Sequence, residues 1–157
     1  MAIRIDAFEM IEFEIPTGKG RFQTIELPPM DCWTAGDIEK INSTLAQRRE
    51  EDAEIEKELL DELDLLRSRK EDKAVIDGAA KALADHRARI ALSPNNNPVE
   101  LNRFLLKFFN PAKAKSEAID GLVSRYINEI AREWESQSGI DSGKSDDSTD
   151  SSSEISE

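Results

Sequence analysis

Cys32 and His86 are the residues of this chain whose types could carry out nucleophilic chemistry. A reactive thiol needs a base to accept its proton, and His86, the only histidine of the sequence, is the one candidate. Cys32 lacks a Gly-rich elbow and the flanking signature of a thiol enzyme. We therefore interpret Cys32 as a small buried or half-buried residue, and we predict no catalytic residue.

Two other patterns could bind a ligand. The GKG at residues 18–20 lacks the Gly spacing and the following Ser or Thr of a phosphate-binding loop, so a hairpin turn explains it better. Glu58 and Glu62 have the spacing of dimetal ligands, but that site also needs two Glu-x-x-His repeats, and His86 follows Asp85. We read these carboxylates as a solvated acidic face and His86 as a surface or packed residue. The prediction is a protein that is not an enzyme and has no metal and no cofactor.

The charge balance excludes some classes of partner. With 157 residues the chain has room for one domain and a tail, and its 33 Asp and Glu outnumber 21 Lys and Arg to give a net charge of -12. Nucleic-acid binders concentrate basic residues, so we expect no nucleic acid partner. A single Cys rules out an internal disulfide and fits a reducing cytoplasm. Because no signal peptide or membrane-length apolar run is visible, we expect a soluble intracellular protein with no membrane partner.

A β-hairpin is predicted near the amino terminus. Ile11, Phe13 and Ile15 alternate with Glu12 and Glu14, and Ile25 and Leu27 share one parity in the next run, although Phe22 falls on the opposite parity. Two strands are marginal in water, so the hairpin must pack on another element.

The stretch LPPMDCWTAG predicts a helix start. Thr34 and Asp37 are a variant of the capping box, which puts Trp33 and Ile38 at the two ends of a hydrophobic staple. We expect Trp33 to fasten the sheet to this helix. The structural residues predicted are Trp33, Thr34, Asp37 and Ile38.

Helical patterns fill the middle of the chain. A long exposed helix with one apolar side is predicted to Lys73, and another apolar stripe runs from Ile76 to Ile90; whether the two helices are continuous cannot be read from the pattern. Asn97 with Pro98 opens a short helix, and Asn110 with Pro111 closes it.

The most amphipathic pattern predicts a last helix from about Lys113 to Ser136. Beyond it the chain is dominated by Ser, Asp and Glu, which predicts disorder. The expected fold is mainly α: an N-terminal β-hairpin packed on a small bundle of four or five helices, with a disordered acidic Ser-rich C-terminal tail. We place the domain at residues 1–137, with the hairpin over about 8–28 and helices over about 35–137, and the tail at 138–157.

The order of these parts resembles the tail assembly chaperones of long-tailed phages that infect actinobacteria. The resemblance covers most of the chain. Its most specific parts are LPPMD at 27–31 and WESQSG at 134–139, within the longer stretches ELPPMDCWTAGDIEKIN and LVSRYINEIAREWESQSGID.

The resemblance implies a function in the host cell cytoplasm. Such a chaperone binds the phage tape measure protein, keeps it soluble while tail tube protein polymerises around it, and is not retained in the virion. The family is often made as a short product and a longer one created by programmed ribosomal frameshifting, and this chain resembles the short product. The longer frameshifted form and the tail tube protein are thus further expected partners, and the oligomeric state stays open, a homo-oligomer included.

Partner binding is expected on the last two predicted helices, which hold the densest apolar bulk. The hypothesis assigns tape measure contacts to the exposed members of one set: Leu105, Phe108, Phe109, Tyr126 and Trp134. If Phe109 is core, the binding face is expected on the charged middle helix around Leu59 and Leu66. A capsid scaffolding protein or another acidic helical adaptor is the alternative, although scaffolding would favour a basic, helical C-terminal end.

Overall fold

The computed structural model describes residues 1–139, which form a β-hairpin followed by helices. The hairpin and a short 3₁₀ turn come first, and the five α-helices of the described chain come after them. The elements are β1 (Ile11–Gly18), β2 (Arg21–Leu27), the 3₁₀ turn (Met30–Cys32), α1 (Ala35–Ser68), α2 (Lys73–Ala91), α3 (Pro98–Phe109), α4 (Lys113–Asp120) and α5 (Ser124–Gln137).

The hairpin follows the alternation seen in the sequence. The antiparallel register pairs Phe13 with Ile25 and Ile11 with Leu27, so both strands present apolar side chains on one face. Lys19 and Gly20 connect the strands with φ of 51° and 70°, the left-handed conformations of a tight hairpin loop. Phe22, whose parity disagreed with its neighbours, is 64% exposed.

The predicted capping box at the start of α1 is confirmed. The Thr34 hydroxyl accepts a hydrogen bond from the Asp37 amide at 3.1 Å, and the Asp37 carboxylate accepts one from the Thr34 amide at 3.0 Å. α1 then runs for 34 residues, a length of about 51 Å.

The middle of the chain is two helices and not one. The amides of Lys70 and Glu71 return to carbonyls of the last turn of α1, and Lys70 has a φ of 53°, which reverses the chain. α2 therefore runs back along the second half of α1, with Leu63 and Leu83 buried and the Arg87 guanidinium 2.8 Å from the Glu56 carboxylate. We call residues 50–91 the helical arm.

The boundaries of α3 are as predicted, but the last helix is not continuous. Asn97 accepts hydrogen bonds from the amides of Val99 and Glu100, Pro98 is the first helical residue, and α3 ends before Asn110. The helix predicted from about Lys113 to Ser136 is broken at residues 121–123, which separate α4 from α5. The break is stabilised from α3, because Arg103 donates to the Ile119 and Asp120 carbonyls at 2.6 and 3.3 Å and so pairs groups at the end of α4.

The main core lies between the hairpin and the last three helices. It contains Ile15, Ile25, Leu27, Leu106, Ala118, Ile119, Leu122, Ile127, Ile130 and Trp134. The mainly α fold with an N-terminal hairpin is thus confirmed, and the hairpin packs on α3, α4 and α5 while the second half of α1 and α2 form the arm.

The folded part extends slightly beyond the predicted domain end at residue 137. The Ser138 hydroxyl donates to the Trp134 carbonyl at 2.6 Å and accepts from the Met30 amide at 2.9 Å, so Ser138 closes α5 and joins it to the 3₁₀ turn. The predicted disordered tail otherwise falls on residues 140–157, which lie outside the described residues.

Candidate partner-binding surface

Three of the predicted partner-binding residues lie on α3 and are half-buried. Leu105 and Phe109 pack against the main core, and Phe108 meets Phe109 edge to face with ring centroids 5.0 Å apart. Phe108 also faces Phe104 at 6.5 Å, and the Arg48 guanidinium of α1 lies 5.4 Å from the Phe104 ring centroid. These rings connect α3 to its neighbours, which leaves little of them free for a partner.

Trp33, Phe109 and Trp134 form a closed aromatic cluster. Their ring centroids are 5.4 Å apart for Trp33 and Phe109, 5.7 Å for Trp33 and Trp134, and 6.0 Å for Phe109 and Trp134. Each pair has the tilted or edge-on geometry that aromatic rings prefer. The cluster joins the start of α1, the end of α3 and the end of α5, so its function is structural.

Trp134 is a core residue and is removed from the predicted binding set. Its side chain is 1% exposed, and its Nε1 donates a hydrogen bond to the Pro28 carbonyl oxygen at 2.7 Å. The amphipathic pattern placed Trp134 on the apolar stripe of α5 but could not show that the hairpin covers this stripe.

The Trp33 ring packs against helices α3 and α5, whereas its predicted staple partner Ile38 contributes little burial. Ile38 is 47% exposed, whereas the Trp33 ring packs in the aromatic cluster. The Nε1 of Trp33 is buried and has no hydrogen-bond partner among the described residues. The capping residues Thr34 and Asp37 therefore fix the helix start, and the aromatic rings provide the packing.

Tyr126 is the exposed member of the predicted set. It is 44% exposed on α5, and Val123, one helical turn earlier, is 58% exposed. The structure therefore leaves Tyr126 free to contact a partner, while Leu105, Phe108 and Phe109 are half-buried and Trp134 is enclosed.

The helical arm offers a second exposed surface. Residues 50–68 contain nine Asp or Glu and two Lys or Arg. Leu59 and Leu66 are half-buried, so the predicted binding residues of this helix are not its exposed ones. Helical spacing instead places two exposed apolar side chains among exposed carboxylates, and we call this set the acidic arm face: Glu51, Glu54, Ile55, Glu58, Asp61, Glu62 and Leu65.

The acidic arm face is unfavourable for the isolated helix. Glu54, Glu58 and Glu62 follow one another at intervals of four residues, and like charges at this spacing destabilise a helix by tenths of a kcal/mol per pair. Ile55 is 42% exposed and Leu65 is 47% exposed. Apolar side chains within a one-signed field are suited to a helix that is apolar on one side and basic at its edges.

Cys32 and His86 are not brought together. Cys32 lies in the 3₁₀ turn just before α1, and His86 meets α1 at Asp52, 18 residues beyond Thr34 or about 27 Å along the helix. Desolvation, followed by the Asp31 carboxylate 3.6 Å from the sulfur, raises the pKa of the Cys32 thiol. A raised pKa leaves the thiol protonated and therefore weakly nucleophilic near neutral pH.

His86 is packed within the helical arm. It is 2% exposed, its Nε2 lies 3.0 Å from the Asp52 carbonyl oxygen, and its Nδ1 lies 3.5 Å from the Arg89 guanidinium. A guanidinium can only donate and a carbonyl oxygen can only accept, so in these contacts Nδ1 accepts from Arg89 and Nε2 donates to the carbonyl. Within residues 1–139 no group of three or more His, Cys, Asp or Glu could hold a metal ion.

Asn110 has a structural function that the sequence did not predict. The Asn110 side chain accepts from the Glu26 amide at 3.1 Å and donates to the Glu26 carbonyl at 3.0 Å, so it pairs with β2 as a neighbouring strand would. The sequence marks Asn110 as a helix stop, but no local signal shows a partner 84 residues away.

Comparisons of the chain with protein-family models, curated proteins and solved structures found no match. In the part of the chain that the structure describes, no helix is both long enough and apolar enough to cross a membrane.

Proposed function

We propose that this protein is a phage tail assembly chaperone that binds the tape measure protein through the acidic arm face. The observation that carries the proposal is the combination of exposed Ile55 and Leu65 with the surrounding carboxylates on a two-helix arm. An apolar strip between charges suits a partner that is itself a long amphipathic helix. The resemblance of LPPMD and WESQSG to this chaperone family supports the same assignment.

The charge of the chain suits a chaperone that acts passively. The net charge of -12 disperses a loaded complex by like-charge repulsion, while the arm covers apolar surface of the client. Polymerisation of the tail tube protein around the client would then displace the chaperone without a nucleotide. The proposed setting is the host cell cytoplasm, with the longer frameshifted form as a further partner.

Co-expression with the tape measure protein tests the proposal. The wild-type chain should keep the tape measure protein in the soluble fraction, and the double variant Ile55→Asp with Leu65→Asp should lose this ability while retaining its own helical circular dichroism. Phe22→Asp is the matched control, because Phe22 is 64% exposed on the hairpin, away from the arm. Soluble tape measure protein with the double variant would contradict binding at the arm.

Two further variants distinguish binding at the arm from binding at the α5 surface or at the tail. Tyr126→Asp should retain capture if the arm binds, and loss of capture with this variant alone would move the site to α5. Truncation after Ser138 should also retain capture, because it preserves the hydrogen bonds of Ser138 to Met30 and Trp134. Phe109→Asp is unsuitable as a surface test, since Phe109 packs in the aromatic cluster.

The gene neighbourhood distinguishes the chaperone from the alternative. An overlapping downstream reading frame followed by a very long helical one would support the chaperone and the frameshifted product. A coat protein gene immediately downstream would instead support capsid scaffolding.

A further inference from the structure

The segment before β1 exposes apolar side chains with no secondary structure to hold them. Residues 1–10 are all exposed, and Ile3 and Ile5 are 89% and 90% exposed. Isolated apolar residues on a surface are ordinary, but alternating β-branched residues shortly before an existing strand are typical of a strand that lacks a neighbour.

Residues 3–7 alternate as β1 does, although Phe8, Glu9 and Met10 interrupt the alternation between the two segments. Ile3, Ile5 and Ala7 have the same odd parity as Ile11 and Ile15, which face the core. Arg4 and Asp6 have the opposite parity, and the Arg4 Nε lies 3.4 Å from the Asp6 carboxylate, as expected for two side chains on one side of an extended chain. Residues 3–7 thus have an apolar face and a charged face.

β2 cannot pair with residues 3–7. The ladder ends at the pair Ile11 and Leu27, and the next residues are Pro28 and Pro29, which have no amide hydrogen to donate. In residues 1–139 the segment therefore has an unpaired backbone on both edges.

We propose that residues 3–7 pair antiparallel with the same residues of a second copy of this chain, centred on Ile5. In this register Ile5 lies opposite Ile5 of the second copy, and Ile3 lies opposite Ala7. Arg4 lies opposite Asp6 of the second copy, and the two-fold symmetry makes this pair twice. Opposite charges across two strands stabilise the pairing, while the apolar residues of both copies share the other face.

The sequence of the segment favours a second copy over an unrelated strand. The order Arg4, Ile5, Asp6 is complementary to itself when it is reversed, because the positive position meets the negative one in an antiparallel pair. The two folded domains would not collide in such a dimer. The six residues from Ile5 to Ile11 span about 20 Å when extended, so the Ile11 residues of the two copies lie about 40 Å apart. Strands of five residues bury little area, so the dimer is weak and depends on protein concentration.

Charge variants of the full chain test the proposal by sedimentation equilibrium. Arg4→Asp places carboxylates opposite each other in both pairs, and Asp6→Arg places guanidinium groups opposite each other. Each variant alone should raise the dimer dissociation constant about tenfold or more. A one-to-one mixture of the two variants should restore the wild-type constant as a mixed dimer, and the double swap in one chain should restore it as a self-dimer.

The controls separate strand pairing from net charge. Arg125→Asp changes the net charge as Arg4→Asp does, at an exposed residue of α5, and should leave the dissociation constant unchanged. A net-charge effect would shift the constants of Arg4→Asp and Asp6→Arg in opposite directions, whereas pairing weakens both. A wild-type chain that stays monomeric up to about 1 mM, where weak contacts are populated, would overturn the proposal. So would single variants that dimerise like the wild type, or a mixture that fails to restore dimerisation.

Discussion

The indole nitrogen of Trp134 and the carbonyl oxygen of Pro28 form a buried hydrogen bond of 2.7 Å. This bond connects the last turn of α5 to the end of β2, across 106 positions of the chain. Trp33 packs against Trp134 in the same cluster, but its own indole nitrogen is buried without a partner among residues 1–139. The two tryptophan side chains therefore contribute differently to the free energy of unfolding.

The same substitution should consequently affect the two sites differently. Trp134→Phe removes packing and leaves the Pro28 carbonyl unpaired, so we expect it to lower the free energy of unfolding by about 2–3 kcal/mol. Trp33→Phe removes a donor that is already unpaired, so the loss should stay below about 1 kcal/mol. Urea unfolding followed by circular dichroism measures both, and equal losses would contradict this account.

Asn110 should be essential for the junction between α3 and β2. Asn110→Leu keeps the branched shape of the side chain but removes the bonds to the Glu26 amide, the Glu26 carbonyl and the Leu106 carbonyl. We expect a loss of about 2–4 kcal/mol in the free energy of unfolding, because buried backbone groups remain unpaired. Asn96→Leu is the control, since Asn96 is exposed and its loss should cost less than about 1 kcal/mol. A stable Asn110→Leu protein would show that water replaces the amide.

Local signals in the sequence predicted the element boundaries that depend on neighbouring residues. The capping box of Thr34 and Asp37 and the bracketing of α3 by Asn97 and Asn110 are local, because caps act within one turn. The alternation around Phe13 likewise shows which side chains of β1 share a face, but the parity of Phe22 left the pairing of the two strands unpredicted.

The features that the sequence could not provide depend on distant contacts. Residues 119–134 keep helical spacing through the break, and a glycine inside a helix costs only about 1 kcal/mol, so Gly121 alone did not predict it. The carbonyls freed there are paired by Arg103 on α3. Likewise, the sequence places Trp134 on the apolar stripe of α5. Only the folded structure, in which Pro28 lies against this side chain, shows that Trp134 is buried. Which arm residues stay exposed, Ile55 and Leu65 among them, is known only once the side of α1 that α2 covers is known.

The thiol of Cys32 should react slowly with alkylating reagents. Desolvation and the nearby Asp31 carboxylate raise its pKa, so the thiolate fraction at pH 8 is below that of an ordinary cysteine. Asp31→Asn removes the negative charge and lowers the pKa, which should speed reaction with iodoacetamide at pH 8. Desolvation remains, so the rate should stay below that of the urea-unfolded chain. Asp77→Asn is the control, and an unchanged rate for Asp31→Asn would exclude the proposed effect of Asp31.

The helical arm should open independently of the main core. Its buried residues Leu63, Leu83 and His86 lie outside the core cluster formed by the hairpin and α3 to α5. Local opening depends on how many apolar contacts hold a region, so the arm should open at a lower free energy than the hairpin and α5. His86→Ala removes the bond to the Asp52 carbonyl and leaves a cavity between α1 and α2.

Hydrogen exchange read by mass spectrometry on peptides separates the two regions. His86→Ala should speed exchange in the second half of α1 and in α2 by about tenfold or more, which corresponds to about 1.4 kcal/mol, and should leave peptides of β2 and α5 unchanged. Ile119→Ala is the matched variant in the main core, since Ile119 is 0% exposed, and it should speed exchange in β2 and α5. If His86→Ala speeds exchange equally in all peptides, the arm and the core unfold as one unit.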